Sequence, residues 1–316
     1  MPSCDTTSPR WRLPVPENIT LVTSQLPVTD DVLREAARIA GLDAEHAELI
    51  RDGSHAMYRL PGEVVARIGR PGTEVVARRE IEVSLWLNAS SLPATRPVPE
   101  LAQPTMVGDR PVTWWRLLPE HRPASPSELG SVLRALHALP IPASVALPIA
   151  DPFDGLGERV GDARSVAPDD RSWLVQHLDQ LRSKYDRLAL DKPGHVIHGD
   201  AWQGNVAIPE SGMPILLDLE DVAIGYPDWD LVQLAVDYTD FARIDEQDYR
   251  GFVRAYGGYD ITSTANFRVW ADIQELRWTC FAISKSNSDP TAASEARHRV
   301  DCLRGNVPRP WTWNAF

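Results

Sequence analysis

The chain has 316 residues, 43% of them hydrophobic, and its 32 basic against 44 acidic side chains give a formal charge of −12. That length predicts two domains or lobes, and that composition predicts a packed core and excludes bulk disorder. The negative field argues against nucleic acid and anionic membrane as partners and favours a cationic small molecule.

Residues 1–18 are rich in Pro, Ser and Thr and read as a flexible lead-in. They hold no apolar run of signal-peptide type, and no stretch of about 18 apolar residues predicts a membrane span. The cysteines Cys4, Cys280 and Cys302 show no CxxC spacing, which predicts a reducing, cytoplasmic setting without structural zinc. Lysine occurs only at 184, 192 and 285, so the first 183 residues contain none.

The first helix is expected in TDDVLREAARIAG, with Thr29 as its cap and Gly41 as its stop. AELIRDGSHAMYRLPGEVVARIGRPG reads as three strands joined by Gly-containing turns. VVARREIEVSLWLNAS spaces Val76, Val83 and Leu87 as a helix does, and VPELAQPTMVG and RPVTWWRLLPE read as two more strands. Residues 114–120 (WWRLLPE) are the hinge expected between the halves. Beyond them the texture is helical. SPSELGSVLRALHAL carries a capping box of Ser125 and Glu128, Pro126 in its first turn, and His137 on its apolar side. SWLVQHLDQLRSKYDRLAL, PDWDLVQLAVDYTDF, DEQDYRGFVRAYGG, TANFRVWADIQELRWTCFAIS and DPTAASEARHRVDCLRG follow as helices, with Cys280 as a core thiol. The expected fold is thus α+β: a small antiparallel sheet with an inserted helix over 19–119, then a larger helical part over 120–316.

One segment breaks the helical run: VIHGDAWQGNVAIPESGMPILLDLE, residues 196–220. VAI, the turn PESG and PILLDL predict a hairpin. Asn205 begins its first strand and Asp218 ends its second, so the two should face each other, with Asp200 on the loop just before. Oxygen donors of this kind suit a hard cation such as Mg²⁺ shared with phosphates. An Asp left beside the metal can accept a hydroxyl proton, and His198, Asp200 and Asn205 keep the His-x-Asp-x₄-Asn spacing of kinase-type phosphoryl transfer.

On these residues the chain resembles the aminoglycoside phosphotransferase and choline kinase family, which shares the protein-kinase-like bilobal fold. HGDAWQGN, LDLED, Gly225 and Asp230-Leu231 carry the resemblance, which runs from about residue 45 to 305. It implies Asp200 as catalytic base, Asn205 and Asp218 as metal ligands with Glu220 assisting, and His198 and Asp230 as structural supports. It also implies Gly53 and Ser54 over the nucleotide phosphates, Glu80 as partner of a phosphate-binding strand residue, and the backbone of Arg116 to Leu118 against the base. The strand position itself holds Arg67, in VVARI, where the family usually has Lys; Arg can still bridge phosphate oxygens. Mg²⁺ and ATP or GTP are the cofactors so implied. The implied reaction is γ-phosphoryl transfer to a hydroxyl of a small molecule, an aminoglycoside or amino sugar first, choline, homoserine or another small alcohol second, by a monomer or homodimer. The missing lysine supports a reading of another class, a nucleotide-binding module with impaired catalysis that acts through partners. Trp202 is placed to flank the acceptor, and Asp272, Glu275 and Glu295 to meet its amino groups.

Overall fold

The computed structural model describes residues 26–53, 55–163, 166–188, 194–286 and 289–314. The N-terminal elements are α1 (Leu26–Ala40), β1 (Glu48–Asp52), β2 (Ala56–Leu60), β3 (Val64–Ile68), α2 (Glu74–Ala89), β4 (Thr105–Val107) and β5 (Arg110–Arg116). Their strands form one antiparallel sheet in the order β1-β2-β3-β5-β4. β3 is central and buried at every position, because both of its faces are covered. Val64, Ala66 and Ile68 join Val32, Leu33 and Ala36 of α1 in one apolar cluster, while Val65 joins Ile81 of α2 and Trp115 in another. Strand side chains alternate in direction, so Arg67 shares the α2 side with Val65.

Two expectations change here. α1 starts at Leu26, so Thr29 lies inside the helix rather than capping it, and its hydroxyl is 3.1 Å from that of Tyr58 on the sheet. The predicted strand in VPELAQPTMVG shrinks to Thr105–Val107. Prolines 97, 99 and 104 deny the earlier residues a continuous ladder, although Val98 N still donates to Trp114 O at 2.9 Å. Gly41 does stop α1, with φ of +70°.

The C-terminal elements are β6 (His121–Pro123), α3 (Pro126–His137), α4 (Leu156–Gly161), α5 (Pro168–Tyr185), β7 (His195–Ile197), β8 (Val206–Pro209), β9 (Ile215–Leu216), β10 (Ala223–Gly225), α6 (Pro227–Thr239), α7 (Glu246–Tyr256), α8 (Phe267–Lys285) and α9 (Pro290–Leu303). The predicted hairpin is β8–β9, although β9 stops at Leu216, so Asp218 lies beyond the strand it was expected to end, and β6, unforeseen, adds to the hairpin's other edge. β7 pairs with β10, also unforeseen, because three-residue strands carry almost no periodic signal. Beneath these ribbons lies one large core that includes Leu133, Leu136, Val232, Phe252, Trp270 and Ile283. Val83 and Leu87 of α2 belong to that larger core, so α2 packs against both the sheet and the helical part. Among the described residues no helix is long and apolar enough to cross a membrane.

The capping box of α3 forms as expected. Glu128 N donates to Ser125 Oγ at 3.3 Å, and Ser125 N donates to Glu128 Oε2 at 2.8 Å. Arg122 of β6 grips the same carboxylate with two N–H bonds of 2.8 and 2.7 Å. The cap therefore ties α3 to the ribbon that carries the 198–205 loop. The Arg122 hydrogen bonds, aided by those from Ser125, pull the Glu128 pKa down to about 2 from its ordinary 4.5. A depressed carboxylate stabilises the fold above its unfolded value, and that contribution is lost as pH falls through the folded one. Glu128→Gln is expected to lower unfolding free energy by about 1 kcal/mol at neutral pH. In denaturant titrations the difference from wild type should shrink between pH 4.5 and about 2.

Candidate active site

The 198–200 loop is held by the first turn of α6. Asp230, 1% exposed, accepts His198 N at 2.7 Å, Gly199 N at 2.9 Å and a bond from His137 Nε2 at 2.9 Å. Its neighbour Trp229 donates its indole N–H to Gly199 O at 3.1 Å. Burial acts to raise the Asp230 pKa, but the His137 and His198 interactions outweigh it and hold the group below the ordinary carboxylate value. The helix N-terminus favours the same charge. Gly199 has φ of +85°, and a β-carbon there would run into the Asp221 carbonyl, so only glycine fits. His198 bonds Leu217 O through Nε2 at 2.9 Å, which ties the loop to the far end of the hairpin.

Asp200 emerges from this frame at the mouth of the hairpin. Asn205 does not start β8 as expected; it ends a 3-10 turn, Gln203–Asn205, just before it. From there Asn205 Nδ2 donates to Asp200 O at 2.8 Å and to Asp200 Oδ2 at 3.2 Å. That leaves the amide oxygen of Asn205 for another partner. Leu217 N donates to Asn205 O at 2.9 Å, which draws the second arm alongside, and Asp218 follows in a left-handed conformation with φ of +52°. Such a backbone is tolerated by Asp and costs of order 1–3 kcal/mol, strain that clusters at functional sites. Burial pushes the Asp200 pKa up; His198 opposes this, and the carboxylates of Asp221 and Asp218 add to it. Asn205 thus binds Asp200 directly, while the Asp218 carboxylate acts on Asp200 only through space; oxygen donors of these kinds suit a hard divalent cation.

From the sheet side Arg67 reaches the same spot. It bonds Glu80 on α2, and its Nη2 lies 3.1 Å from Asp218 Oδ1, 3.1 Å from Glu220 Oε2 and 3.1 Å from His55 Nδ1. Burial works against the guanidinium charge, but Glu80, Asp218 and Glu220 more than offset it and raise the Arg67 pKa. Burial likewise pushes the Glu80 carboxyl up to about 7, opposed by Arg67. His55 was missed by the sequence reading, although it lies inside the quoted DGSHAMYRL. Burial, followed by the Arg67 charge, lowers its pKa to about 4, so the ring is neutral near pH 7. A guanidinium only donates, so Nδ1 accepts and the ring proton sits on Nε2, which faces Glu220 Oε2 at 3.5 Å.

The remaining expected residues lie as follows. Gly53 is exposed, with its N–H on His55 O at 3.3 Å; Ser54 falls outside the described residues. Arg116 N donates to Arg96 O at 2.8 Å and its side chain pairs with Glu100, while Leu118 follows half-buried. Trp202 is 38% exposed, and its ring covers Gly204 so closely that no β-carbon fits there. Asp272 and Glu275 are not drawn to Asp200. Arg268 binds them at 2.7 and 2.6 Å, and Arg309 holds Glu275 at 3.1 Å. Glu295, buried, takes Arg299 at 2.9 Å and Asn314 N at 2.9 Å. Arg277, unforeseen, stands near Asp200 instead; its helix read only as core.

A braced 198–200 loop, a carboxylate and amide pair at a hairpin mouth, and a buried sheet cation paired to a helix glutamate are the arrangement expected of the protein-kinase-like fold. The model of the phosphotransferase enzyme family (APH) matches residues 46–271, and the chain belongs to that family. It is therefore a phosphotransferase with an alcohol group as acceptor. Similar solved structures include an amicoumacin kinase, hAmiN, in complex with AMP-PNP, Ca²⁺ and Ami, at 14% identity and TM-score 0.68, over 90% of this chain and 97% of that one. A choline/ethanolamine kinase family protein from Mesorhizobium loti aligns at 19% identity and TM-score 0.59, over 87% and 94% of the two chains. APH(2″)-IIIa with GDP and kanamycin aligns at 14% identity and TM-score 0.65, over 87% and 99%. No curated protein matches the sequence significantly.

Removing the Asp230 carboxylate leaves buried N–H groups and His137 without a partner. Asp230→Ala is expected to cost about 3–5 kcal/mol of stability in thermal or urea unfolding. A variant as stable as wild type would show that the loop is held by other contacts.

Proposed function

We propose that this chain transfers the γ-phosphoryl group of ATP or GTP to a hydroxyl of a small molecule, with Asp200 as the base. In this reading residues 19–119 supply the nucleotide side, 120–316 supply the catalytic and acceptor side, and 1–18 precede both. The observation that carries it is the meeting of Arg67 with Asp218 across 151 residues of sequence, beside Asp200 and Asn205. Two remote stretches would have no reason to gather these groups for stability alone, since clustered carboxylates repel and buried charge is costly.

Each residue then has a role. Asp200 Oδ accepts the acceptor's hydroxyl proton as the hydroxyl oxygen attacks the γ-phosphorus, whose bond to the bridging oxygen breaks to release the nucleoside diphosphate; a positioned base of this kind contributes roughly 10²–10⁴ in rate. Asn205 fixes Asp200 through its N–H bonds and turns its amide oxygen toward the phosphates. Asn205 and Asp218, with Glu220 beside them, are the side chains that would hold Mg²⁺, which supplies charge neutralisation between the phosphates. Arg67, gripped by Glu80, binds phosphate oxygens. His55, neutral and hydrogen-bonded to Arg67, orients that guanidinium. Gly53 is assigned to the phosphates, as is Ser54 by its place in the sequence alone, and the 116–118 backbone to the nucleotide base. Trp202 offers an exposed aromatic face to the acceptor. Because Asp272, Glu275 and Glu295 are each engaged by arginine, we assign acceptor recognition to other side chains of the cleft.

The elevated Asp200 pKa means that a neutral, proton-holding Asp200 competes with the working carboxylate as pH drops. Asp200→Asn should bind nucleotide almost as wild type does but lose at least about 10²-fold in turnover. Full turnover in that variant would end the base assignment. For Asp218→Ala, fluorescence titration with a nucleotide analogue is expected to lose its Mg²⁺ dependence; an unchanged Mg²⁺ curve would place the metal elsewhere. A module that binds nucleotide without catalysis differs in one measurement: the wild-type chain would release no nucleoside diphosphate, with or without Asp200.

A further inference from the structure

Arg277 lies beside the catalytic loop but plays no part in the assignments above. It projects from α8, and its Nη1 donates to Pro152 O at 3.2 Å. Its guanidinium carbon stands 5.4 Å from the centroid of the Trp229 ring. That same indole donates to Gly199 O, immediately before Asp200. Arg277 is therefore separated from the Asp200 backbone by one aromatic side chain.

Its electrostatic situation is unlike that of Arg67, Arg268 and Arg299. Arg67 meets Glu80, Asp218 and Glu220; Arg268 meets Asp240, Asp272 and Glu275; Arg299 meets Glu295. Among the described residues no carboxylate forms an ion pair with Arg277. Asp221, Asp200 and Asp154 act on it only through space, and Arg159 of α4 adds a second positive charge close by. Burial is the main influence on Arg277, and with Arg159 it brings the group below the ordinary arginine value. Arg159 likewise has no carboxylate partner among the described residues. A chain with 44 acidic residues and a net charge of −12 thus leaves two neighbouring cations unpaired next to its proposed base. The carboxylates of α8 cannot serve them. Glu275 precedes Arg277 by two positions, about 200° around the helix, and faces the Arg268–Arg309 side.

We propose that Arg277, with Arg159 beside it, binds an anionic group of the acceptor, and that the acceptor is a hydroxylated carboxylic acid. A guanidinium presents paired N–H donors that match the two oxygens of a carboxylate, and such charge-assisted bonds are strong where water is partly excluded. With the carboxylate on Arg277 and the chain leading up past Trp229, a hydroxyl can reach Asp200. The inference rests on the phosphotransferase reading, because it takes Asp200 as the point where the hydroxyl is activated. It differs in the sign of charge from the cationic acceptor that the net charge alone favours. Net charge reports the whole surface, whereas Arg277 reports the charge close to the Trp229 ring that holds the 198–200 loop.

The test is a binding experiment on the full chain, so that it does not depend on turnover. Thermal unfolding in the presence of Mg²⁺ and a non-hydrolysable ATP analogue is followed while compounds are titrated in matched pairs. These are gluconate against glucitol and L-homoserine against its amide, with kanamycin and inorganic phosphate as separate arms. The expected result is a concentration-dependent rise in Tm with a carboxylated member and none with the counterpart that lacks the carboxylate. In Arg277→Gln the apparent affinity should fall about tenfold or more. Arg277→Lys, which keeps the charge but loses the paired donors, should lie between the two and shows that the loss is not one of folding. The proposal is overturned if no carboxylate shifts Tm, if the shift is equal in wild type and Arg277→Gln, or if kanamycin or phosphate alone produces it. Failure of the phosphotransferase reading itself would appear elsewhere, as absence of Mg²⁺-dependent nucleoside diphosphate release by the wild-type chain.

Discussion

The junction around Arg67 is the constraint on which the rest of the site depends. One buried guanidinium joins the central strand of the sheet to α2 through Glu80, and to the hairpin end through Asp218 and Glu220. Three carboxylates so close together would repel one another without it, and each would bear the cost of partial burial unpaired. Arg67 is thus both the point of contact for phosphate in the proposed reaction and the electrostatic link between the two halves of the molecule.

 

The second constraint is the frame beneath Asp200. In the proposed reaction the 198–200 loop must present one carboxylate in a fixed direction, yet loops leave backbone donors unsatisfied. Here α6 resolves the conflict with two consecutive side chains. Asp230 takes the N–H groups of His198 and Gly199, and Trp229 takes the Gly199 carbonyl. His137 of α3 completes the arrangement from the other side of the core and is itself 2.9 Å from the Tyr256 hydroxyl. The stability of the helical half and the aim of the proposed base are therefore one problem with one solution. A residue such as His137, which touches no reacting atom, matters because it holds the group that holds the loop.

Charge at the site is arranged by sign and by depth. Acidic groups gather where the proposed reaction holds phosphates and a cation, while Arg277 of α8 stands against the Trp229 ring with Arg159 of α4 acting on it. The acids of the late helices are absorbed into a separate network with Arg268 and Arg309. A fold shared with kinases of choline, amicoumacin and kanamycin-binding proteins leaves the acceptor to such local choices.

Much of the molecule was legible in the sequence because its signals are local. The capping box of α3, the Gly41 stop and the β8–β9 hairpin each depend on a few adjacent residues. The HGDAWQGN spacing carried the proposed base and metal ligands for the same reason: a short loop and a hairpin bring their own ends together. The three-residue strands β6, β7 and β10 were not legible, since their pairing comes from partners far along the chain. Nor was the fate of Asp272, Glu275 and Glu295, because whether an acid meets solvent, substrate or arginine depends on which helix packs opposite it. His55 and Arg277 were hidden likewise. By itself the sequence determined the fold class, the family motif and the residues proposed for chemistry. Only the tertiary structure decided which charges are neutralised and which stand free, because an ion pair between residues as distant as 67 and 218 is formed by packing and by no local rule.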